Sequence, residues 1–286
     1  MRMVGRAKLK DFWYWIEERH QIWRRRNWGQ PKPWTNDPIL QRYKFTNVFR
    51  ELDTGTVWLR QNFIEKHPDG GATLLFNIAW YRLFNRVETG NVLRYLTVFR
   101  AGEVRRKLKA RKRDGFPVFT SAHMTHGRKG QDKIDTFIES MADLWKDRTT
   151  IYAAVCGQAT LEHAFSVLRQ YQSIGDFVAY EIVTDLRHTK MLHNAPDINT
   201  WANPGPGALR GLRRLSKNPD ISISSEEGLA RMIELLGLSK TTLPGDFPKL
   251  ELRDVEHVLC ETDKYFRVKF GEGRPRQTYP GQEGGN

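Results

Sequence analysis

The apolar residues of this chain recur at the three- and four-residue spacing of helices, and clean two-residue alternation is hard to find. That periodicity constrains the fold most: it leaves little room for a sheet and predicts a mostly α architecture. In DFWYWIEERHQIWRRR the positions Phe12, Trp15, Ile16, Ile22 and Trp23 share one face, with Asp11 as the expected N-cap. NWGQPKPW is a Pro/Gly loop. Thr35-Asn36-Asp37-Pro38 signals a helix start, and one helix is predicted to carry Leu40, Tyr43, Phe45, Val48, Phe49 and Leu52. Further helices are predicted over 73–86, 91–110, 131–147, 226–236 and 253–261. A single helical domain is expected over 1–270, with lobes of roughly 1–150 and 151–270. The polar tail 271–286, GEGRPRQTYPGQEGGN, is expected to be mobile.

The formal charge of +13 points to a polyanionic partner, most commonly nucleic acid. RRKLKARKR, residues 105–113, reads equally as a solvated face or a phosphate-facing patch. Two cysteines exclude a four-cysteine metal site and argue against a disulfide framework. No apolar run approaches the roughly 20 residues of a membrane span. MRMVGRAKLK lacks the apolar core of a secretory signal, so a cytoplasmic protein with no membrane partner is expected.

Within QSIGDFVAYEIVTDL, Ser173-Ile174-Gly175 separates two helical patterns marked by Leu161, Ala164, Phe165 and Leu168, and by Ala179, Ile182, Val183 and Leu186. Two helices joined by a tight turn can offer backbone N–H groups and a helix N-terminus to one phosphate. Ser173, Ile174, Gly175 and Asp176, with Lys129, are the candidate DNA contacts. A plain helical hairpin is the competing reading. The stretch resembles the helix-hairpin-helix element, with serine in place of its first glycine. In the DNA glycosylases built on that element an aspartate follows the hairpin, and here Asp197 lies 22 residues after Gly175. The resemblance implies a helix-hairpin-helix DNA glycosylase-like, two-lobed fold. Phe177 occupies the position of the lyases' Schiff-base lysine, so lyase chemistry is not implied.

Longer stretches carry a more specific resemblance: KPWTNDPILQRYKFTNVFRELD, VFTSAHMTHGRKGQDK, NAPDINTWANPGPGALRGLRR and LRDVEHVLCETDKYFRVKFGEGRPRQTYPG. They resemble the helical domain found with 5-hydroxymethyl-deoxyuridine (5-hmdU) DNA kinases, and the related thymine-hypermodifying proteins of tailed phages. The latter are the α-glutamyl/putrescinyl-thymine pyrophosphorylases, acting as amino acid:DNA transferases. No Gly-x-x-x-x-Gly-Lys-Ser/Thr occurs, so the chain reads as the helical module without ATP-driven phosphoryl transfer.

The resemblance implies a double-stranded phage DNA substrate containing a thymine whose 5-methyl carries a pyrophosphate ester. An amino acid or polyamine would replace that ester, in the cytoplasm of the infected host and in functional link with a 5-hmdU DNA kinase. Such chemistry needs an everted base, cations for the leaving group and a base for the incoming ammonium. Asp197 is the first-choice base, followed by Glu51, Asp53 and Asp263. Arg42, Lys44, Arg50, Arg210, Arg213, Lys264, Arg274 and Arg276 are the cationic candidates, and Asn47, Asn199 and Trp201 could hold the base. No metal ligands are assigned, although Mg²⁺ could share the leaving-group charge. Two other readings stay open: a DNA glycosylase acting on a modified base, and a non-catalytic DNA-binding partner of the kinase.

Binding to duplex DNA is expected to weaken steeply between about 50 and 200 mM salt, with little sequence preference. Titration across that range checks it; a flat response would contradict the electrostatic reading.

Overall fold

The structure, a computed structural model, describes residues 6–121, 127–218, 220–275 and 277–279. Among these run twelve α-helices: α1 (Arg6–Asn27), α2 (Pro38–Arg42), α3 (Thr54–Leu59), α4 (Gly71–Phe84), α5 (Val87–Leu93), α6 (Ala101–Arg113), α7 (Lys133–Gly157), α8 (Leu161–Leu168), α9 (Asp176–Leu186), α10 (Pro206–Leu215), α11 (Ser225–Thr242) and α12 (Leu252–Lys269). No described residue lies in a strand; Tyr43 and Thr278 form an isolated antiparallel bridge. The mostly α expectation holds. Among the described residues no helix is long and apolar enough to cross a membrane.

The chain divides into two compact units, one of Met1–Asp53 with Asn199–Asn286, the other of Thr54–Ile198. The lobe boundary expected near residue 150 falls inside α7, a 25-residue helix, and is corrected by this division.

In the first unit α1 buries Phe12, Trp15 and Ile16 completely. The helix is already running at Arg6, so Asp11 is not its cap; it pairs with Lys269 Nζ at 2.7 Å. Helix α10 lies directly against α12. A Cβ on Gly211 would sit 2.3 Å from the Leu259 carbonyl oxygen, so only glycine allows this approach. Asp37 caps α2 as its sequence suggests: Oδ1 accepts the N–H groups of Ile39 (2.8 Å) and Leu40 (3.0 Å), and Pro38 follows. Its Oδ2 accepts the hydroxyl of Tyr265 at 2.7 Å.

The helix predicted through Leu52 ends at Arg42. Tyr43 is extended (φ −102°, ψ 145°), the Lys44 amide donates to the Gln277 carbonyl at 3.0 Å, and the Tyr279 amide donates to Arg42 at 3.0 Å. The aromatic and β-branched residues of YKFTNVF suit this extended run. Part of the tail expected to be mobile is thus paired.

In the second unit α4 is buried from Leu74 to Phe84. A helix buried all round must satisfy its polar side chains internally. Asn77 does so with Thr73, Trp80 and Leu96. Arg82 makes two bonds to Asp185, of 2.5 and 2.6 Å, and one to Thr56 at 2.9 Å. The helix predicted over 91–110 breaks into α5 and α6 at Arg94, whose φ is +59°. On α6, Arg105 and Lys109 pair with Asp135, Lys112 with Asp132 and Lys107 with Glu103, each at 2.8 Å. Four cations of the basic run are thus held in ion pairs within the second unit.

Replacing Asp185 with Ala strands a buried guanidinium and is expected to destabilise the protein by about 3–5 kcal/mol. Chemical denaturation of the pair of proteins checks this; a loss below about 1 kcal/mol would contradict it.

Candidate active site

The residues between α2 and α3 close a short polar loop. Asn47 donates twice to Asp53 Oδ1, from its backbone N (2.9 Å) and from Nδ2 (3.1 Å), and its Nδ2 also reaches the Leu52 carbonyl at 2.8 Å. Arg19, buried on α1, donates from Nη2 to Asn47 Oδ1 (2.8 Å) and to the Phe45 carbonyl (3.1 Å). Helix α12 supplies the facing wall. Arg253, His257 and Glu261 follow at four-residue intervals and so share one helix face. Arg253 Nη2 donates to Glu51 Oε2 at 3.2 Å. His257 Nε2 lies 2.7 Å from Thr46 Oγ1 and 3.8 Å from Asp53 Oδ2. Glu261 accepts the Thr46 amide at 3.2 Å and pairs with Lys264.

Burial pushes the Asp53 carboxyl above the usual carboxylate range, against the opposing pull of His257 and the Asn47 amide. One oxygen of Asp53 is held by Asn47 while the other faces the imidazole. Beside them, burial lifts Asp254 to about 7, opposed by Arg253 and reinforced by Glu51. Carboxylates poised nearer neutrality than usual, an imidazole and a fixed guanidinium form an arrangement suited to accepting a proton next to an anion. Among the described residues no group of three or more His, Cys, Asp or Glu is placed to hold a metal ion.

Of the residues singled out in the sequence, Asn47, Glu51 and Asp53 meet here, and Arg50 is buried in the same loop. Sequence reasoning missed His257, Thr46, Arg19, Glu261 and Arg253. The signal for the α12 members was their four-residue spacing within LRDVEHVLCETD. Asp263, another candidate base, is enclosed by arginines: Arg214 Nε at 2.5 Å, Arg210 Nε at 3.2 Å and Arg267 Nε at 3.7 Å. It anchors α10 to α12. Arg213 is half-buried on α10, Lys44 and Arg274 are exposed, and Arg42 stacks over Tyr43 at 5.5 Å. Asn199 is exposed and Trp201 half-buried; Arg276 lies outside the described residues.

Asp197 belongs to the other unit, where its oxygens accept the backbone N–H groups of Leu161 (2.9 Å) and Glu162 (3.0 Å). The carboxylate caps α8 together with Thr160, whose Oγ1 accepts the His163 amide. Helices α8 and α9 do flank a tight turn with Ile174 buried inside it. The left-handed residue of that turn is Ser173 (φ +65°), whereas Gly175 has φ −78°. Asp176 occupies the first turn of α9 and pairs with Arg169 at 3.0 Å. Lys129 is exposed in the loop before α7.

Residues 6–274 match the family described as the helical domain of 5-hmdU DNA kinase. The chain belongs to that family. The 5-hmdU DNA kinase of Bacillus phage SP10 is 30% identical over 279 residues, covering 88% of this chain. The chain spans 44% of that relative's length. No solved structure matches it. The loop 47–53 and the wall of α12 both fall inside the matched region.

Asp254 gives this cluster a pH signature. Its folded pKa of about 7 exceeds the unfolded value, so its favourable contribution is complete below about pH 4 and is lost as pH rises toward 7. Stability is expected to fall by roughly 1 kcal/mol per pH unit across that window from this group, and Asp254→Asn should remove that component. Denaturation midpoints between pH 4 and 8 measure it; identical pH profiles for both proteins would contradict the assignment.

Proposed function

We propose that this chain is a DNA base-hypermodifying transferase. It replaces the pyrophosphate of 5-pyrophosphooxymethyl-deoxyuridine in duplex phage DNA with an amine, an amino acid or a polyamine, and releases pyrophosphate. The supporting observation is the facing pair Asp53 and His257, held by Asn47, Arg19 and Thr46 beside the Glu51–Arg253 ion pair.

In this reading the amine nitrogen forms a bond to the 5-CH₂ carbon as the carbon–oxygen bond to pyrophosphate breaks. The bonding pair leaves with the pyrophosphate. A protonated amine has no lone pair, so a proton must first be removed, and Asp53 with His257 is assigned to take it. Burial makes Asp53 a better proton acceptor than an exposed carboxylate. Arg253 and Arg42 are assigned to the leaving group's charge. Asp197 is assigned to capping, because backbone amides hold both its oxygens. The α8–α9 hairpin is retained as a DNA-backbone contact of helix-hairpin-helix type, with Ser173 in the left-handed position.

The test supplies pyrophosphorylated, 5-hydroxymethyl and unmodified DNA with a panel of amino acids and polyamines. Digestion and mass spectrometry of the nucleosides then read the product. An aminated nucleoside formed in step with pyrophosphate is expected from the first DNA alone, since hydroxide is a far poorer leaving group. Asp53→Asn is expected to keep DNA affinity and lose about 10²–10⁴-fold in turnover. Free base or abasic sites would establish a glycosylase instead. DNA binding with no change in any base would leave a positioning partner of the kinase.

A further inference from the structure

A second feature of the first unit is not used by that chemistry. A cavity of about 150 Å³ opens between the loop after α1 and the C-terminal segment. Pro33, Trp34 and Tyr279 form apolar walls, and Thr35, Gln41 and Lys32 supply the polar lining. A space of about this volume holds one aromatic ring.

Its polar groups are specific. Thr35 Oγ1 accepts the Asp37 amide at 3.1 Å, and the Thr35 carbonyl accepts Gln41 Nε2 at 2.6 Å. The Thr35 hydroxyl can donate and the Gln41 amide oxygen can accept: one donor and one acceptor. A pyrimidine of the uracil type presents the complement, carbonyl oxygens and a ring N–H.

The rim is cationic. Lys32 Nζ lies 5.1 Å and the Arg26 guanidinium 5.9 Å from the Trp34 ring centre, and Lys44 Nζ lies 5.9 Å from that of Tyr279. A rim of this sign repels a polyamine and suits a ring tethered to phosphates. The cavity and the candidate active site share the segment after α2: Tyr279 pairs through its amide with Arg42, and the Arg19 guanidinium holds the Asn47 side chain that grips Asp53.

We propose that this cavity receives the everted pyrimidine ring of a DNA strand, between Trp34 and Tyr279, with the strand's phosphates on Lys32, Lys44 and Arg26. This rests on the DNA-modifying reading and assigns the substrate ring to a place that Asn47, Asn199 and Trp201 were expected to provide. Asn47 is instead committed to Asp53, Leu52 and Arg19.

The test compares a duplex bearing one bulged thymidine with the same duplex bearing an abasic bulge. The parent protein is expected to prefer the thymidine by about ten-fold, the scale of stacking one base on aromatic side chains. Trp34→Ala and Tyr279→Ala are each expected to bring the ratio close to one with little change in affinity for fully paired DNA. Trp34→Phe should restore most of the preference. Melting accompanies each variant, and Tyr279→Ala, in a separate segment of chain, keeps the test decisive if Trp34→Ala fails to fold. A preference that survives in a folded Trp34→Ala or Tyr279→Ala protein overturns the inference, as does a parent protein that binds both bulges equally. Those outcomes leave the transferase reading standing if aminated nucleoside still forms. A parent protein that neither binds DNA nor alters it overturns both.

Discussion

Arg19 is a buried cation on a helix whose neighbours are largely aromatic, and its charge has to be answered locally. The structure answers it with oxygens from the polypeptide between α2 and α3: the Phe45 carbonyl and the Asn47 amide. Asn47, turned by that bond, can present its own N–H groups only to Asp53 and Leu52. Asp53 is thereby fixed with one oxygen toward His257. Burial depresses the proton affinity of Arg19, and the carboxylates of Asp53 and Glu261 oppose that effect. These two groups come from the loop and from α12, so the charge of one side chain on α1 is answered by two separate pieces of chain. Removing it would leave a carboxylate-rich pocket whose members repel one another.

The second unit handles a buried guanidinium differently. Arg82 has two carboxylates, Asp185 and Glu181, and hydroxyl and amide oxygens besides. It is saturated, and its own proton is bound more tightly than in water. Such a closed set specifies packing and has nothing to offer a substrate. The cluster in the first unit is less evenly matched: Asp53 is pushed toward protonation, and Asp254 titrates near neutrality. Unequal matching of buried charge separates a place where protons can move from one where they are locked.

The long amphipathic helices were legible in the sequence because their apolar residues keep one period over many turns; α7 and α12 are the clearest. The stretch 43–52 was not, because Tyr43, Phe45, Val48, Phe49 and Leu52 satisfy a helical template by count while the backbone turns extended at Tyr43, where Arg42 and Lys44 pair with 277–279, and re-enters a single 3-10 turn only at Arg50–Leu52. That pairing joins residues more than two hundred apart, which no local pattern contains. The same holds for the site. Glu51, Asp53 and Asn47 could be named from one segment, but their partners on α12 required the fold. Asp197 was singled out by its place after a hairpin, and a loop aspartate at that spacing serves as well for a cap. Trp34 and Tyr279 read as loop and tail because nothing in their neighbourhoods reveals that they share a cavity.

The discontinuity of the first unit has a consequence for how the protein is made. Residues 1–53 are made before the second unit, yet their partners α10 and α12 follow it, beginning at Pro206 and Leu252. The second unit is continuous and can close during synthesis, at about 5–20 residues per second. For that interval Phe12, Trp15 and Ile16 have no α12 to cover them, and the loop holding Asp53 has no facing wall. The acid–base cluster therefore assembles only after α12 has been made, whatever the second unit has already formed.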